Sequence, residues 1–301
     1  MLTVRPDFYD EFHCLASRCR HSCCVGWEID VDDETLAYYN TLEGPVGDAL
    51  RENIALEPAP HFRLTAEERC PFLRPDGLCR LILTLGEDSL CDICALHPRF
   101  YNELPGRLEM GLGLCCEEAA RLLTEGAGPL RFLTEDDGEG ETPPSPLLRR
   151  REEIFARLAD TSRPLTACME GALGLCGETL PPFENREAAR FLLTLERMEE
   201  NWTALLNALA AAPGEELEPR LSEERYMRLA AYLVYRHFTG AESEREEARL
   251  LRFCFFAVRL VCALEPHSAD ALRLFSAEIE YSDENVEKLC AWLATHSSTD
   301  G

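Results

Sequence analysis

Apolar residues follow a helical spacing through the second half of the chain. In residues 182–213 they recur at steps of three and four, which predicts one long amphipathic helix. Residues 244–264 are apolar nearly all round from Leu250 onwards, which predicts a helix through the centre of a bundle. The second half of the chain is therefore predicted to be a bundle of helices.

Two more helices are predicted to begin at serine N-caps, because a serine hydroxyl can accept a hydrogen bond from an unpaired amide of the first turn. Ser222 would cap a helix whose inward residues are Tyr226, Leu229, Ala230, Leu233 and Phe238. Ser282 would cap a last helix that continues through Leu293, and the tail after His296 is predicted to be loose.

The first half of the chain has shorter patterns. Residues 26–32 alternate apolar and acidic side chains, which predicts a short strand with Trp27 in the core. A helix is predicted from Asp33, with Leu36, Tyr39 and Leu42 on one side. The run from Arg107 to Leu123 predicts another short strand that enters a helix.

A turn and a helix end are predicted further along this half. Pro75-Asp76-Gly77 is a turn sequence, since proline presets the backbone and glycine accepts a positive φ, so Cys70 and Cys79 should approach each other. A helical step is predicted at residues 81–85. Pro98 should end any helix before it, which would leave His97 and Arg99 on a loop.

The acidic and then proline-rich residues 134–146 predict a solvated linker between two domains. The expected domains are a cysteine-rich metal-cluster domain at residues 1–133 and an α-helical domain at residues 147–301. The expected fold class is mainly α: a cysteine-rich metal-binding N-terminal region with short strands, followed by an α-helical bundle.

Composition narrows the function classes. The 301 residues are 46% hydrophobic, which is enough for a sizeable core. With 30 basic and 55 acidic residues the formal charge is −25, which repels nucleic-acid phosphates and favours a basic or lysine-bearing partner. The N-terminus lacks the pattern of a secretory signal, and no uncharged apolar run predicts a transmembrane segment. We therefore expect a cytoplasmic protein in a reducing compartment.

Cysteines carry the candidate chemistry. Ten of the fifteen lie between Cys14 and Cys116, in the groups Cys14-x4-Cys19-x3-Cys23-Cys24, Cys70-x8-Cys79-x11-Cys91-x2-Cys94 and Cys115-Cys116. Grouped thiols are what a metal or metal–sulfur centre needs, because each group supplies soft ligands that folding can bring together. An odd number of cysteines, some adjacent, argues against a disulfide framework. The isolated cysteines Cys168, Cys176, Cys254, Cys262 and Cys290 are predicted to be small buried hydrophobic residues.

The fragment Glu109-x-Gly111-x-Gly113 has the glycine pattern of a nucleotide-binding loop in doubly wound methyltransferases. Such a fold needs alternating strands and helices downstream, and the sequence does not predict them. The better-supported interpretation is that glycines allow a close approach of the backbone to the metal centre.

Several motifs together resemble the flagellin lysine-N-methylase family. They are Phe12-x-Cys14-x4-Cys19-x3-Cys23-Cys24-x-Gly26-Trp27-x-Ile29-x2-Asp32, Cys70-Pro-Phe-Leu, Asp76-Gly-Leu-Cys79, Leu85-Gly-Glu-x2-Leu90-Cys91-x2-Cys94-x2-His97-Pro-Arg99 and Cys116-x-Glu-Ala-Ala-Arg121. Residues 279–285 are similar to the start of that family's C-terminal helix. A looser likeness is to zinc- or iron-chelating cysteine-cluster proteins.

The resemblance implies transfer of methyl groups from S-adenosylmethionine to surface lysines of flagellin, with a [4Fe-4S] cluster held by the cysteine-rich region. The cysteines that match the motif are Cys14, Cys19, Cys23, Cys24, Cys70, Cys79, Cys91, Cys94 and Cys116. One cubane takes at most four thiolates, so either a second metal is present or several of these thiols do not ligate. His97, Cys115 and Glu117 depart from the family pattern.

A lysine ε-amine is protonated at neutral pH, so a lysine methylase must remove a proton before the nitrogen can attack. The candidates for this role are the groups nearest the thiols in sequence: Glu28, Asp30, Asp32 and His97. Arg99 could pair with the carboxylate of S-adenosylmethionine. The alternative is a non-catalytic interaction module whose cysteines hold zinc or iron.

Overall fold

The computed structural model describes residues 1–136, 138, 145–212, 223–264 and 268–295. The chain forms two compact units. The first unit contains Met1–Phe12, Tyr101–Cys115 and Ala119–Gly301, and the second contains His13–Phe100 and Cys116–Glu118. Helices dominate the described residues and the strands are short, so the predicted mainly helical fold class is confirmed.

Within the described ranges the chain has six strands and thirteen α-helices. The strands are β1 (Leu2–Pro6), β2 (Ile54–Ala55), β3 (His61–Phe62), β4 (Arg99–Leu104), β5 (Arg107–Leu112) and β6 (Phe132–Asp136). The helices before residue 160 are α1 (Asp33–Thr41), α2 (Gly44–Asn53), α3 (Arg80–Leu85), α4 (Asp92–Leu96), α5 (Glu117–Glu125) and α6 (Pro146–Leu158). The later helices are α7 (Leu165–Gly174), α8 (Asn185–Leu192), α9 (Glu200–Ala211), α10 (Glu224–His237), α11 (Glu244–Ala263), α12 (Ser268–Phe275) and α13 (Asp283–Thr295).

The first unit contains a four-stranded mixed sheet with the order β4-β5-β1-β6. β1 pairs in parallel with β5 and antiparallel with β6. Helix α10 is tied to this sheet by two buried tyrosines: Tyr235 donates to Val4 O at 2.9 Å, and Tyr232 both donates to Leu112 O and accepts from Leu112 N at 2.6 Å. The short strand predicted from Arg107 is therefore present as β5, whereas β1 is a strand that the sequence pattern did not predict.

Most of the helices predicted for the second half are confirmed. Helix α11 is almost completely buried from Leu251 onwards, and all five predicted inward residues of α10 and its C-terminal end are buried. The predicted cap Ser222 lies outside the described residues. Ser282 caps α13 by accepting from Asn285 N at 3.3 Å, and the tail after His296 lies outside the described residues. None of the described helices has both the length and the apolar character needed to span a bilayer.

The single long helix predicted at residues 182–213 is wrong, because the chain breaks it into α8 and α9. Residues 193–199 lie between the two helices. Arg197 donates to Leu193 O and to Leu195 O in this segment, and Met198 N and Glu199 N both donate to the Glu278 carboxylate at 2.8 and 2.6 Å. A carboxylate from far along the chain thus caps the N-terminus of α9 and stabilises the break.

The compact units do not coincide with the predicted domains at residues 1–133 and 147–301. The pairing of β1 with β5 and β6 places residues from the predicted first domain in the unit that contains the helical bundle. The predicted linker at residues 134–146 lies partly outside the described residues. Its first three residues belong to β6, and Ser145 caps α6 by accepting from Leu148 N at 3.2 Å.

The second unit has its own apolar core, built around Tyr39, Leu50, Phe62, Phe72 and Leu81. The predicted helix from Asp33 is α1, and Leu36, Tyr39 and Leu42 all pack on this core. The strand predicted at residues 26–32 is wrong as a strand. The segment forms only an isolated bridge between Asp30 and His61, although Ile29 and Val31 alternate inward as predicted. Trp27 is half-buried and lies outside the core.

Candidate functional site

All nine cysteines of the family motif lie in the second unit, whereas the extra thiol Cys115 lies in the first. Cys70 and Cys91 belong to the core of the second unit, and Cys24, Cys79 and Cys94 pack against it. Folding therefore gathers thiols that are spread over about a hundred positions of sequence. No disulfide joins these cysteines among the described residues.

The adjacent thiols Cys23 and Cys24 form the first close pair. The Cys23 thiol hydrogen-bonds the Cys24 sulfur and thereby lowers the pKa of Cys24 to about 7, against the opposing effect of burial. The same hydrogen bond and burial raise the pKa of Cys23. Electrostatic interactions with Cys14 and Cys116 act on Cys23 in the same direction. Cys24 therefore loses its proton near neutral pH, whereas Cys23 keeps its proton.

Cys91 and Cys94 form the second close pair, at the start of α4. Cys94 N donates to Cys91 O at 2.9 Å, so the one-turn helix sets the spacing of the two side chains. The Cys94 thiol hydrogen-bonds the Cys91 sulfur, which lowers the pKa of Cys91 and raises that of Cys94. A dithiol of this kind offers two soft ligands from one turn.

The predicted turn at residues 75–77 is confirmed. Gly77 has a φ of 79°, and Gly77 N donates to Arg74 O at 3.0 Å. The returning chain forms a bridge between Leu73 and Cys79. Cys70 N donates to Cys24 O at 2.8 Å, which joins this group to the first pair. Burial raises the pKa of Cys70 to about 12, and nearby Cys24 and Cys79 act in the same direction.

Glu117, which departs from the family pattern, is hydrogen-bonded to the segment that contains Cys19 and Arg20. Its carboxylate accepts from Arg20 N at 2.9 Å and from Arg20 Nε at 2.7 Å, and the Cys19 thiol donates to it at 3.8 Å. Burial opposes ionisation of Glu117, but the bonds from Arg20 outweigh it and lower its pKa. Because Glu117 follows Cys116, it joins the first and last cysteine groups. The only sequence signal for this contact was that Glu117 departs from the family pattern.

The cysteines come together as pairs with further thiols nearby. Among the described residues, no three or more histidine, cysteine, aspartate or glutamate side chains are arranged to hold a metal ion. The donor chemistry suits a thiophilic metal, but the side chains as they stand do not form a finished coordination site. The metal-binding part of the expected fold class is therefore not confirmed.

Two of the four proposed catalytic groups are surface side chains, since Glu28 and Asp30 are exposed. Asp32 serves the local structure, because its carboxylate accepts from Thr35 N at 2.8 Å and from Asp92 N at 3.0 Å and so caps both α1 and α4. His97 is half-buried, and burial lowers its pKa. Proximity to the thiols in sequence therefore does not single out a base among them.

Arg99 is half-buried and begins β4, so its predicted place on a loop is wrong. Gly111 lies inside β5, and Glu109 is fully buried with Arg151 and Arg107 against its carboxylate, so this fragment serves the core of the first unit. The isolated cysteines Cys168, Cys254, Cys262 and Cys290 are buried as predicted, but Cys176 is only half-buried.

Fold and site together define a mainly helical protein with a compact cysteine-rich unit. No protein-family model matches the chain, and no solved structure is similar to it. The chain is 30% identical over 130 residues to the flagellar biosynthetic protein FliU of Salmonella muenchen, a match that covers 40% of this chain and 77% of that protein. It therefore belongs to the family of that flagellar protein.

Lysine-N-methylases are also similar to this chain. Those of Salmonella typhimurium and Salmonella choleraesuis are each 30% identical over 130 residues, which is 40% of this chain and 32% of the relative. The match thus spans about a third of the length of these two methylases. The relationship predicted from the cysteine motifs is confirmed.

Proposed function

We propose that this protein is an S-adenosylmethionine-dependent protein-lysine N-methyltransferase that acts on flagellin. The observation that carries the proposal is the similarity to named lysine-N-methylases, combined with the placement of all nine motif cysteines in one compact unit. The charge of −25 supports it, because an acidic protein attracts a lysine-bearing substrate segment.

The reaction makes two demands on the protein. The substrate ammonium must lose a proton to a base, and its nitrogen lone pair must then be aligned with the methyl carbon of the donor. The new bond joins nitrogen to carbon, while the carbon–sulfur bond breaks and its electrons return to sulfur as a thioether. Glu28, Asp30, Asp32 and His97 stay predictions for the base, and Asp32 is the least suited because capping occupies its carboxylate.

We propose that a [4Fe-4S] cluster binds to a subset of the nine thiols, with the Cys91–Cys94 and Cys23–Cys24 pairs as its first anchors. A cluster attached through three thiolates would supply an iron with an open position for the amino and carboxylate groups of S-adenosylmethionine. Arg99, in the same unit as the thiols, is the proposed partner of that carboxylate. Binding would require the remaining thiols to move towards the pairs, since no three ligands converge among the described residues.

A second candidate function is a non-catalytic zinc protein that acts as an interaction module. The observation that favours it is that Cys70 and Cys91 lie in the core of the second unit, where a structural metal would contribute directly to folding. Zinc would be held by four thiolates and would leave no open position.

The two functions are separated by anaerobic purification followed by metal and sulfide analysis. The purified protein is then incubated with labelled S-adenosylmethionine and flagellin, and mass spectrometry locates any methylated lysine. Methyl transfer by a brown protein that contains iron and sulfide supports the first proposal. A colourless zinc protein that transfers no methyl group refutes it and supports the second.

Two cysteine variants and one control variant test whether Cys91 and Cys94 bind the metal. Cys91→Ser and Cys94→Ser should lower the metal content, whereas Cys176→Ser should not, since that half-buried thiol lies in the other unit. Unchanged metal in both ligand variants would exclude this pair as an anchor.

A further inference from the structure

A cavity of about 400 Å³ opens at the surface of the first unit, between α6 and α7. This volume lies within the range of roughly 300–1,000 Å³ that small-molecule sites occupy. The walls come from the second half of α6, from the loop at residues 159–164 and from the first two turns of α7. All of these elements belong to the same compact unit.

The uncharged part of the lining consists of small residues: Ala156, Ala167, Cys168 and Gly171. A Cβ at Gly171 would lie 3.5 Å from Arg157 Nη1, so the Arg157 side chain reaches from α6 to α7. The Cys168 thiol is buried, and burial raises its pKa, so this sulfur is neutral and behaves as a small apolar group. This part of the lining therefore suits an apolar group of a ligand.

Charged side chains form the rest of the lining: Glu153, Arg157, Asp160 and Arg163. Glu153 precedes Arg157 by four positions on α6, the spacing and order at which an acid and a base are well placed to pair. In the part of the chain that the structure describes, however, neither of them forms an ion pair, and no carboxylate lies at ion-pair distance from Arg163. Glu153 and Arg157 are both exposed, so their charges are available to a ligand.

The Asp160 carboxylate is already engaged in the loop. Its Oδ1 accepts from Ser162 N at 3.1 Å and from the Ser162 hydroxyl at 2.5 Å. These hydrogen bonds and the charge of Arg163 lower the pKa of Asp160, so it is an anion at neutral pH.

The lining as a whole carries two positive and two negative charges, although the chain has a formal charge of −25. A simple anion would be repelled by Glu153 and Asp160, and a simple cation by the two arginines. A ligand with one positive and one negative charge can pair with both kinds of group. Side chains four positions apart on a helix have Cβ atoms roughly 5–6 Å apart, so Glu153 and Arg157 can reach two charged groups on a single carbon atom.

We propose that this cavity binds a free α-amino acid with an apolar side chain. Arg157 donates paired hydrogen bonds to the α-carboxylate, and Glu153 accepts from the α-ammonium group. The ligand side chain lies against Ala156, Ala167 and the Cys168 sulfur. The inference is independent of the proposed function, because it depends on the cavity and its charges alone.

The test is isothermal titration calorimetry of the full chain, with L-methionine and L-leucine as probes and two methionine derivatives that each lack one charge. Methionine amide has no carboxylate, and N-acetylmethionine has no ammonium group. Each derivative should bind roughly tenfold or more weakly than methionine, because one charge-assisted contact is lost.

Variants then assign each contact to a side chain. Arg157→Gln should bind methionine roughly tenfold or more weakly and should no longer prefer methionine over its amide. Glu153→Gln should no longer prefer methionine over N-acetylmethionine. Arg190→Gln, an exposed position on α8 of the same unit, is the matched control and should bind as the wild-type protein does. Thermal denaturation shows that each variant is folded, and methionine should raise Tm of the wild-type protein and of Arg190→Gln but not of Arg157→Gln.

Three results would overturn the inference. The first is that neither methionine nor leucine gives saturable binding. The second is that both methionine derivatives bind as tightly as methionine, since the charges of the ligand would then not be recognised. The third is that folded Arg157→Gln and Glu153→Gln bind methionine as tightly as the wild-type protein, since the ligand would then bind elsewhere. None of these measurements involves methyl transfer, so the proposed function survives each of these results.

Discussion

Replacement of Glu280 by glutamine should change the acid stability of the protein in a defined pH range. The carboxylate is fully buried, is hydrogen-bonded to His237 and forms an ion pair with Arg236. The substitution keeps the size of the side chain and removes its charge. Arg236 and His237 would then face a neutral amide in a buried place, so the variant should be less stable at neutral pH.

The magnitude follows from proton linkage. The pKa of Glu280 falls from its ordinary value of 4.5 to about 2 on folding. At roughly 1.4 kcal/mol per pH unit, this corresponds to about 3 kcal/mol of stability. Because the folded pKa is the lower one, this stability is fully present above about pH 5 and disappears as the pH falls towards 2. Roughly 2 kcal/mol of it should be gone by pH 3.

The assay is urea denaturation of the wild-type protein and Glu280→Gln at several pH values between 7 and 3. The difference in unfolding free energy between the two should be largest at pH 7 and should narrow by about 2 kcal/mol by pH 3. Glu284→Gln is the control, since its exposed pair with Lys288 should have no measurable effect. A difference that stays constant from pH 7 to pH 3 would refute the reasoning, because Glu280 would then not be titrating with a lowered pKa.

Three further predictions follow from the core, the caps and the thiols. Arg151→Met should cost about 3 kcal/mol in urea denaturation, the low end for a broken buried pair, because Arg107 stays beside Glu109. Asp32→Ala should cost about 1–2 kcal/mol, because it removes the acceptor that caps two helices, whereas Asp30→Ala at an exposed position should cost little. In the metal-free native protein, iodoacetamide should label the exposed Cys14 quickly, as mass spectrometry would show, and should spare the buried Cys168, Cys254, Cys262 and Cys290. The first prediction is contradicted if Arg151→Met leaves the urea midpoint unchanged. The second is contradicted if Asp32→Ala and Asp30→Ala lower the unfolding free energy equally, and the third if Cys254 is labelled as fast as Cys14.

Local patterns predicted much of the second half of the chain. Helices α10 and α11 have long apolar faces, so periodicity alone placed their inward residues. The turn at residues 75–77 was also predictable, because proline and glycine have strong backbone preferences that act within a few residues. Both kinds of signal are local, and tertiary packing agrees with them here.

The break between α8 and α9 had no such signal. Residues 193–199 contain neither glycine nor proline, and the apolar spacing continues through them. The helix ends there because Arg197 takes backbone carbonyls and because Glu278 caps the next helix from about eighty positions away. A capping group so distant in sequence leaves no trace in a periodic pattern.

In the candidate site, too, some features follow from local sequence and others only from folding. Cysteine spacing identified the nine thiols and the family, whereas the partners of those thiols depend on the fold: Glu117 beside Cys19, and Asp32 at the start of α4. The carboxylate–imidazole pair of Glu280 and His237 joins residues 43 positions apart. No motif contains both of them.

The sequence by itself determined the helical character of the chain, the acidic charge and the soft-ligand chemistry of the cysteines, because periodicity, composition and side-chain type act locally. Only the tertiary structure decided which residues meet. It placed the nine motif cysteines in one unit and Cys115 in the other, joined β1 to strands more than a hundred positions away, and set Glu280 against His237. These contacts join residues that are far apart in sequence and become neighbours only when the chain folds. Their free energies depend on the distances between atoms in the folded structure, and a local sequence pattern contains no information about those distances.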